Sequence, residues 1–432
     1  MFKRILQLKL RIFAKLILAR YKPDVVGITG SVGKTGTKEA IYLVLSKKFQ
    51  ARRSEKNYNN EIGLPLTIIG SNSPGKNFFG WVWIFFKATK IILFKDKNYP
   101  KVLILEMGVD RIGDMKYLNS IVKCKIGVVT FVGATHLEYF GTIEKTQKEK
   151  GELIRDLKKN GWAILNYDNL QAREIAKMSK SRVLTYGLEE GSDVWAQQVV
   201  FSFDGEKKRE NLKGISFKLS HNGSFAPVLL PNVIGYNSVY AALAGASCGI
   251  AMGMNLIEIS EALREFNLPK GRMNLIPGIK YTMIIDDSYN SAPDSAISAL
   301  EIVKRIPIEY GAQKFAALGD MLELGRESER GHREVGRYLV ECGIDKLIAV
   351  GEYAIDIGVG AKEAGMKDDN IFYFSNSEEA GLFIQNRIKK GDLILVKGSQ
   401  GARMEKIVKE LMAEPLRAEE LLVRQEPTWS RK

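Results

Sequence analysis

The sequence predicts an α/β protein made of two successive sheet domains. These are a P-loop-type central domain with a mostly parallel sheet and a C-terminal Rossmann-like doubly wound domain. Three observations carry this. All-apolar strand runs alternate with helical stretches from Asp24 onward, the series breaks at Pro269-Lys270-Gly271-Arg272, and a fresh alternation begins at Thr282. At 432 residues, 45% apolar and 26% charged, the chain has the length and composition of two or three globular domains with buried cores.

Taken in order, the first 23 residues hold seven Lys or Arg and no acid. On a helical wheel Arg4, Arg11, Lys15 and Lys22 form one stripe. Ile5, Leu6, Ile12, Phe13, Leu16 and Ile17 form the opposite face, with Lys9 and Arg20 intruding. Residues 1–23 therefore predict a basic amphipathic helix that either lies on a membrane surface or caps the first domain. Arg11 and Lys15 break its apolar stretches and no small-residue cleavage pattern follows, which argues against a signal peptide.

The central domain is expected over 24–270. In it VVGITG (25–30), KVLILEMG (101–108), KIGVVTFVG (125–133) and GWAILNYDN (161–169) read as buried strands, the last closing the parallel series. The apolar insert at 78–94 is short for a membrane span and carries Lys87 and Lys90, so it is expected to dock on protein or dip into a headgroup layer. Residues 182–231 read as an antiparallel patch with a turn at Asn222-Gly223, and 237–254, rich in Ala and Gly, as a closely packed helix. The C-terminal domain is expected over 271–414, with strands at 282–287, 314–320, 346–351, 371–374 and 392–398, and 415–432 as a loosely held polar tail.

Cys124, Cys248 and Cys342 lack metal-ligand spacing, so neither a disulfide framework nor a zinc site is indicated, and a cytoplasmic setting is the simplest reading. The net charge of +14 attracts polyanions in general: nucleic acid, acidic lipid or a nucleotide-linked substrate.

Thr29-Gly30-Ser31-Val32-Gly33-Lys34-Thr35 follows a strand and precedes a helical stretch. Glycines let backbone N–H groups turn inward around phosphates, and a helix N-terminus adds partial positive charge. Lys34 would reach the β/γ phosphates and Thr35 would help hold Mg²⁺. The longer P-loop pattern wants glycine where this chain has Ile28. Such a loop names a nucleotide, ATP or a relative, and no reaction.

The shortened loop resembles that of the Mur ligase family, and further matches follow in that family's order. Asn57-Tyr58-Asn59-Asn60-Glu61-Ile62-Gly63-Leu64-Pro65 looks like the substrate motif of its D-alanyl-D-alanine-adding type. Leu105-Glu106-Met107-Gly108, Thr135 to Gly141, Lys150-Gly151-Glu152, Asp286 to Pro293, Leu318 to Gly325 and Lys397-Gly398-Ser399 match too. The resemblance implies an ATP-dependent amide ligase working through an acyl phosphate, with a UDP-MurNAc-tripeptide and D-Ala-D-Ala as substrates and two Mg²⁺ ions. It implies Thr35, Glu106, His136 and Lys150 as metal ligands, the last as a carbamylated lysine, with Lys34, His136 and Lys150 catalytic. It implies Asn57, Asn59, Asn60, Gly63 and Pro65 on the substrate; Arg272 on phosphate and Asp286 with Asn290 on ribose or adenine are the candidates that join the loop residues on ATP, with a hinge or turn role as the alternative for each. Composition alone would make Lys150 an ordinary solvated lysine and His136 a structural one.

This sequence departs from the family in three places. About 23 residues precede the first strand, so the separate domain that grips UDP in the family is expected to be missing. The family's G-x-H-N pattern reads Gly235-Tyr236-Asn237-Ser238 here, without the histidine, and Phe131 stands where the family commonly carries an asparagine. Rival readings are a related ligase with a lipid-linked or recycled acceptor, and a nucleic-acid-associated P-loop ATPase. The ordered motifs argue against the second, and no nucleic acid is expected as partner.

Overall fold

The computed structural model describes residues 2–54, 58–133, 140–203, 205, 212–231, 233–426 and 429. The chain divides into two compact units. The first comprises 1–200, 216–230 and 236–266, the second 201–215, 231–235 and 267–432.

In the first unit helix α1 (Phe2–Tyr21) leads into β1 (Asp24–Thr29) and α2 (Lys34–Ser46). Then come β2 (Ala51–Arg53), α3 (Gly63–Ile69), α4 (Phe78–Leu93), β3 (Val102–Glu106) and α5 (Asp114–Ile121). After β4 (Ile126–Val129), α6 (Ile143–Arg155), β5 (Trp162–Asn166) and α7 (Leu170–Glu174) come β6 (Arg182–Gly187), β7 (Val194–Phe203), β8 (Leu212–His221) and β9 (Ser224–Pro231). Helices α8 (Tyr236–Ala251) and α9 (Leu256–Leu263) close the series. The sheet order is β2-β3-β1-β4-β5-β6-β7-β8-β9.

Strand β1 is central and parallel to both neighbours, and its apolar run is buried because helices cover both faces. Register sets the site: Ile28 lies level with Glu106 and Thr29 level with Val129, so loop and carboxylate leave the sheet at the same edge. Open α/β sheets bind ligands at such carboxyl ends. The Ala- and Gly-rich α8 is buried along most of its length and packs on α2.

Two expectations need correcting in this unit. The parallel series does not close at residue 169: β6 pairs parallel with β5, and β7 parallel with β6. The helical turns at 170–178 supply the crossover that the parallel pairing of β5 with β6 requires. The tight turn at Asn222-Gly223, both in the left-handed region, joins β8 to β9. The apolar residues of α1 do not share one face. Leu6, Leu10, Ala14 and Ile17 are buried in the first unit's core, whereas Ile5, Leu8, Ile12 and Leu16 are about half exposed. The insert at 78–94 is α4, which docks on protein, one of the two outcomes expected, through Trp81, Ile84, Ala88 and Ile91.

The second unit runs β10 (Asn274–Gly278), β11 (Thr282–Asp287), α10 (Pro293–Arg305), β12 (Lys314–Gly319), α11 (Ser328–Glu341), β13 (Lys346–Val350) and α12 (Ile355–Glu363). It continues with β14 (Ile371–Phe374), α13 (Ser377–Arg387), β15 (Leu393–Lys397), α14 (Glu405–Leu411) and α15 (Ala418–Leu421). Its order is β10-β11-β15-β12-β13-β14, parallel except for β10. Residues 415–426 are no loose tail. Leu422 joins the core, and Arg424 is buried with its guanidinium 2.8 Å from Glu405 and donating to Ser288 O and Tyr289 O.

Candidate active site at the mouth of the first sheet

The loop between β1 and α2 is shaped by glycine. Gly30 has φ +148°, and a Cβ there would sit 1.9 Å from Thr130 Oγ1; Gly33, at φ +86°, opens α2 from the left-handed region. Neighbours fix the loop from outside. Ser31 N–H donates to Phe131 O at 2.6 Å, and Thr130 Oγ1 donates to Val32 O at 2.6 Å. Thr29 Oγ1 is buried without a hydrogen-bond partner, and Lys34 folds back so that Nζ lies 2.5 Å from Gly30 O and 3.4 Å from Ser31 O.

Below the loop, Thr35 Oγ1 faces Glu106 Oε2 at 3.4 Å, and Asn59 Nδ2 faces Glu106 Oε1 at 3.5 Å. Glu106 is buried, so its carboxylate stands out of water, and among the described residues these long contacts are its side-chain partners. Loop amides at a helix N-terminus fit a phosphate, and a hydroxyl beside a buried carboxylate fits a hard divalent cation. Among the described residues no three His, Cys, Asp or Glu gather into a metal cage.

Lys150 is not the solvated lysine that composition suggests. It is 2% exposed on α6. Burial, then repulsion by the Lys34 ammonium, pulls its pKa down to about 7 against the opposing pull of Asp110 and Glu149. Glu149 itself accepts from Gly113 N and Met115 N at the start of α5. His136 and Asn57 lie outside the described residues.

Of the expected substrate residues, Asn59 alone among the described ones turns to Glu106. Asn60 uses its side-chain oxygen to accept from Ile62 N and Gly63 N, and Gly63 and Pro65 are buried in the first turn of α3. The motif there builds the helix start. Three residues given no role by the sequence reading shape the site: Thr130, Asn169, which pairs with both Val132 N and Val132 O, and Lys38, wholly buried with Nζ 3.0 Å from Ser54 O. Only the strand-end position of Thr130 offered a signal.

In the second unit, Arg272 lies with its guanidinium 4.3 Å from the centre of the Tyr289 ring. Asn290 is exposed, and its carbonyl accepts from Lys397 Nζ. Asp286 is fully buried and accepts from Ser288 N–H at 3.1 Å, with its other oxygen unpartnered. Burial pushes its carboxyl up to about 6 against the Ser288 hydrogen bonds.

Two family models match the chain: the Mur ligase middle domain over residues 28–77 and 87–248, and the Mur ligase, glutamate ligase domain, over 271–400. The chain is 29% identical over 403 residues to the UDP-N-acetylmuramoyl-tripeptide--D-alanyl-D-alanine ligase of Bacillus subtilis (strain 168), spanning 93% of this chain and 79% of that one. To the ligase of the same name from Synechocystis sp. it is 30% identical over 396 residues, 91% and 76% of the two. It is also similar to MurF from Acinetobacter baumannii (TM-score 0.76, 25% identity, 93% of this chain and 79% of that one). The MurF ligase from Thermotoga maritima in complex with ADP gives a TM-score of 0.74 at 26% identity over 93% and 82%.

Proposed function

The chain belongs to the Mur ligase family of ATP-dependent amide ligases, and on that premise we propose that it joins D-alanyl-D-alanine to a UDP-N-acetylmuramoyl-tripeptide. The observation that carries this reading is the pairing of Thr35 with buried Glu106 beneath a phosphate loop, in a chain whose motifs keep the family's order through both domains.

A carboxylate and an amine do not condense at neutral pH without activation. In this reading the tripeptide carboxylate attacks the γ-phosphorus of ATP, the bond to the β–γ bridging oxygen breaks, and ADP leaves an acyl phosphate. The dipeptide amine attacks the acyl carbon, phosphate leaves, and the amine proton passes to solvent. The N–H groups of Gly30 to Thr35 and the Lys34 ammonium hold the phosphates. Thr35 and Glu106 would hold one Mg²⁺, and His136 with Lys150 as its carbamate a second; bound there, Mg²⁺ supplies charge neutralisation between two anionic reactants. Lys150 suits the carbamate because its low pKa leaves much of the amine neutral above pH 7. A neutral amine adds to CO₂ with loss of one proton, exchanging a buried cation for an anion. Asn59 orients Glu106, and Arg272, Asp286 and Asn290 belong to the nucleotide side. We place the protein in the cytoplasm, where its free, buried cysteines stay reduced.

Phosphate release is measured with ATP, Mg²⁺, UDP-MurNAc-tripeptide and D-Ala-D-Ala, each omitted in turn. Release that needs all four is expected, falling in CO₂-depleted buffer and returning with bicarbonate. Release without the dipeptide, or only with a different acceptor, overturns the substrate assignment.

A further inference from the structure

Helices α1 and α4 share a surface that the ligase reading leaves unused. Residues 1–27 and 78–86 also fall outside the matched middle domain. The helices run side by side and in the same direction. The Phe13 and Phe85 rings are 5.5 Å apart, Arg20 donates to Leu93 O at 3.3 Å, and Tyr21 OH donates to Ile91 O at 2.9 Å. On α1 the outward stripe Ile5, Leu8, Ile12 and Leu16 lies about a quarter turn to one side of these contacts. On α4 the stripe Phe79, Val82, Trp83 and Phe86 lies about a quarter turn to the other. In parallel helices, opposite senses bring both stripes to the same side. All eight are about half exposed or more, with Phe79 at 81% and Trp83 at 65%.

The rim of this face is cationic. Arg4, Lys9 and Lys15 are exposed along α1, and Lys76, Lys90, Lys95 and Lys97 along and beyond α4. Asp96 is the single acid in residues 71–100, and 1–23 has none. Lys87 is held by Gly70 O and does not join the rim. Lys90 decides between occupants. It stands within the outward face of α4, and a protein partner closing over it would bury an ammonium in apolar surroundings; lysine is depleted in such interfaces. At a bilayer surface its stem lies among acyl chains while its head reaches phosphate. No helix among the described residues is long and apolar enough to cross a membrane.

We infer that the α1–α4 face seats in the headgroup layer of an anionic bilayer, both helices lying flat and Phe79, Trp83 and Phe86 entering the acyl boundary. Affinity then has two parts, apolar burial that salt leaves alone and phosphate attraction that salt screens.

The full chain is sedimented with vesicles of equal phosphatidylglycerol and phosphatidylcholine, and with pure phosphatidylcholine. Binding at least tenfold tighter to the anionic vesicles is expected. The variant Phe79→Ser/Trp83→Ser/Phe86→Ser should lose it while keeping phosphate release, which shows that it folds. Lys76→Gln/Lys90→Gln/Lys95→Gln should weaken it about fivefold or more per charge and flatten its salt dependence. Three results overturn the inference: no pelleting with anionic vesicles, unchanged pelleting of the serine variant, or a concentration-dependent dimer that the serine variant abolishes without vesicle binding. The last would assign the face to a second copy of the chain.

Discussion

Two strand-end regions, one in each unit, start from the same architecture and finish in opposite electrostatic states. At the mouth of the first sheet, among the described residues, Glu106 has contacts of 3.4 and 3.5 Å and Thr29 Oγ1 has no hydrogen-bond partner, while Lys34 donates to carbonyls of its own loop. At the end of β11 and β15 the charges close on one another. Lys397 Nζ is 2.6 Å from Asp287 Oδ2, and Glu405 takes both Arg403 at 2.6 Å and Arg424 at 2.8 Å. A charge held out of water with incomplete contacts leaves binding capacity for a ligand, whereas a saturated network ties chain segments together. In the first region the charges themselves are left for a ligand; in the second the pairs at Asp287–Lys397 and at Glu405 serve shape, and the nucleotide role proposed above falls to Asp286 and Asn290.

Substitution tests that contrast. Lys34→Ala should lower phosphate release about a thousandfold, ~4 kcal/mol of transition-state stabilisation, with thermal unfolding unchanged. The half-buried ammonium donates to the Gly30 and Ser31 carbonyls, and the loop is fixed independently of it by Ser31 N–H on Phe131 O and Thr130 Oγ1 on Val32 O. If the melting temperature falls with the activity, the loop is structural and the contrast fails. Arg424→Ala should do the reverse. Removing one partner of a buried pair costs about 3–5 kcal/mol, and Arg403 still serves Glu405, so the lower end, ~3 kcal/mol, is expected in denaturant titration. A loss under ~1 kcal/mol would mean that the network holds little of the second unit together.

The first region was more legible in the sequence than the second. An all-apolar run ending in glycines before a helical stretch dictates a strand, a loop and a helix N-terminus, and the next strand's last residue, Glu106, must then emerge beside it. The second region depends on Arg424 and Glu405 meeting across nineteen positions, and no period or turn signal announces such a pair. Lys150 shows the same limit: a charged run reads as solvated, and only packing reveals that one of its lysines is buried. Helix α1 shows another. Amphipathic periodicity assumes one apolar stripe, but a helix with two, one for the core and one facing out, blurs on the wheel into a single broad face. Asn60 was legible as to place, but its bonds to Ile62 N and Gly63 N were not, since a capping asparagine and a substrate asparagine look alike in sequence.

The smallest effect sharpens the comparison most, because Asp286 belongs to the closed region yet keeps one open oxygen. Its carboxyl is raised to about 6 by burial, against about 3.9 in an unfolded chain. The folded state therefore holds the proton more tightly between these values. The stability tied to that proton is fully present below about pH 4 and is lost as pH rises through 6, for a total of about 2–3 kcal/mol. Asp286→Asn keeps the oxygen that accepts from Ser288 N–H and carries no charge at any pH. Measured by denaturant titration, the variant should gain on the parent progressively from pH 4 to pH 7 and hold a constant lead above that. Parallel stability curves across this window would show that Asp286 ionises without cost. A counter-charge would then reach its second oxygen in solution, and the second region would be as closed as its neighbours make it look.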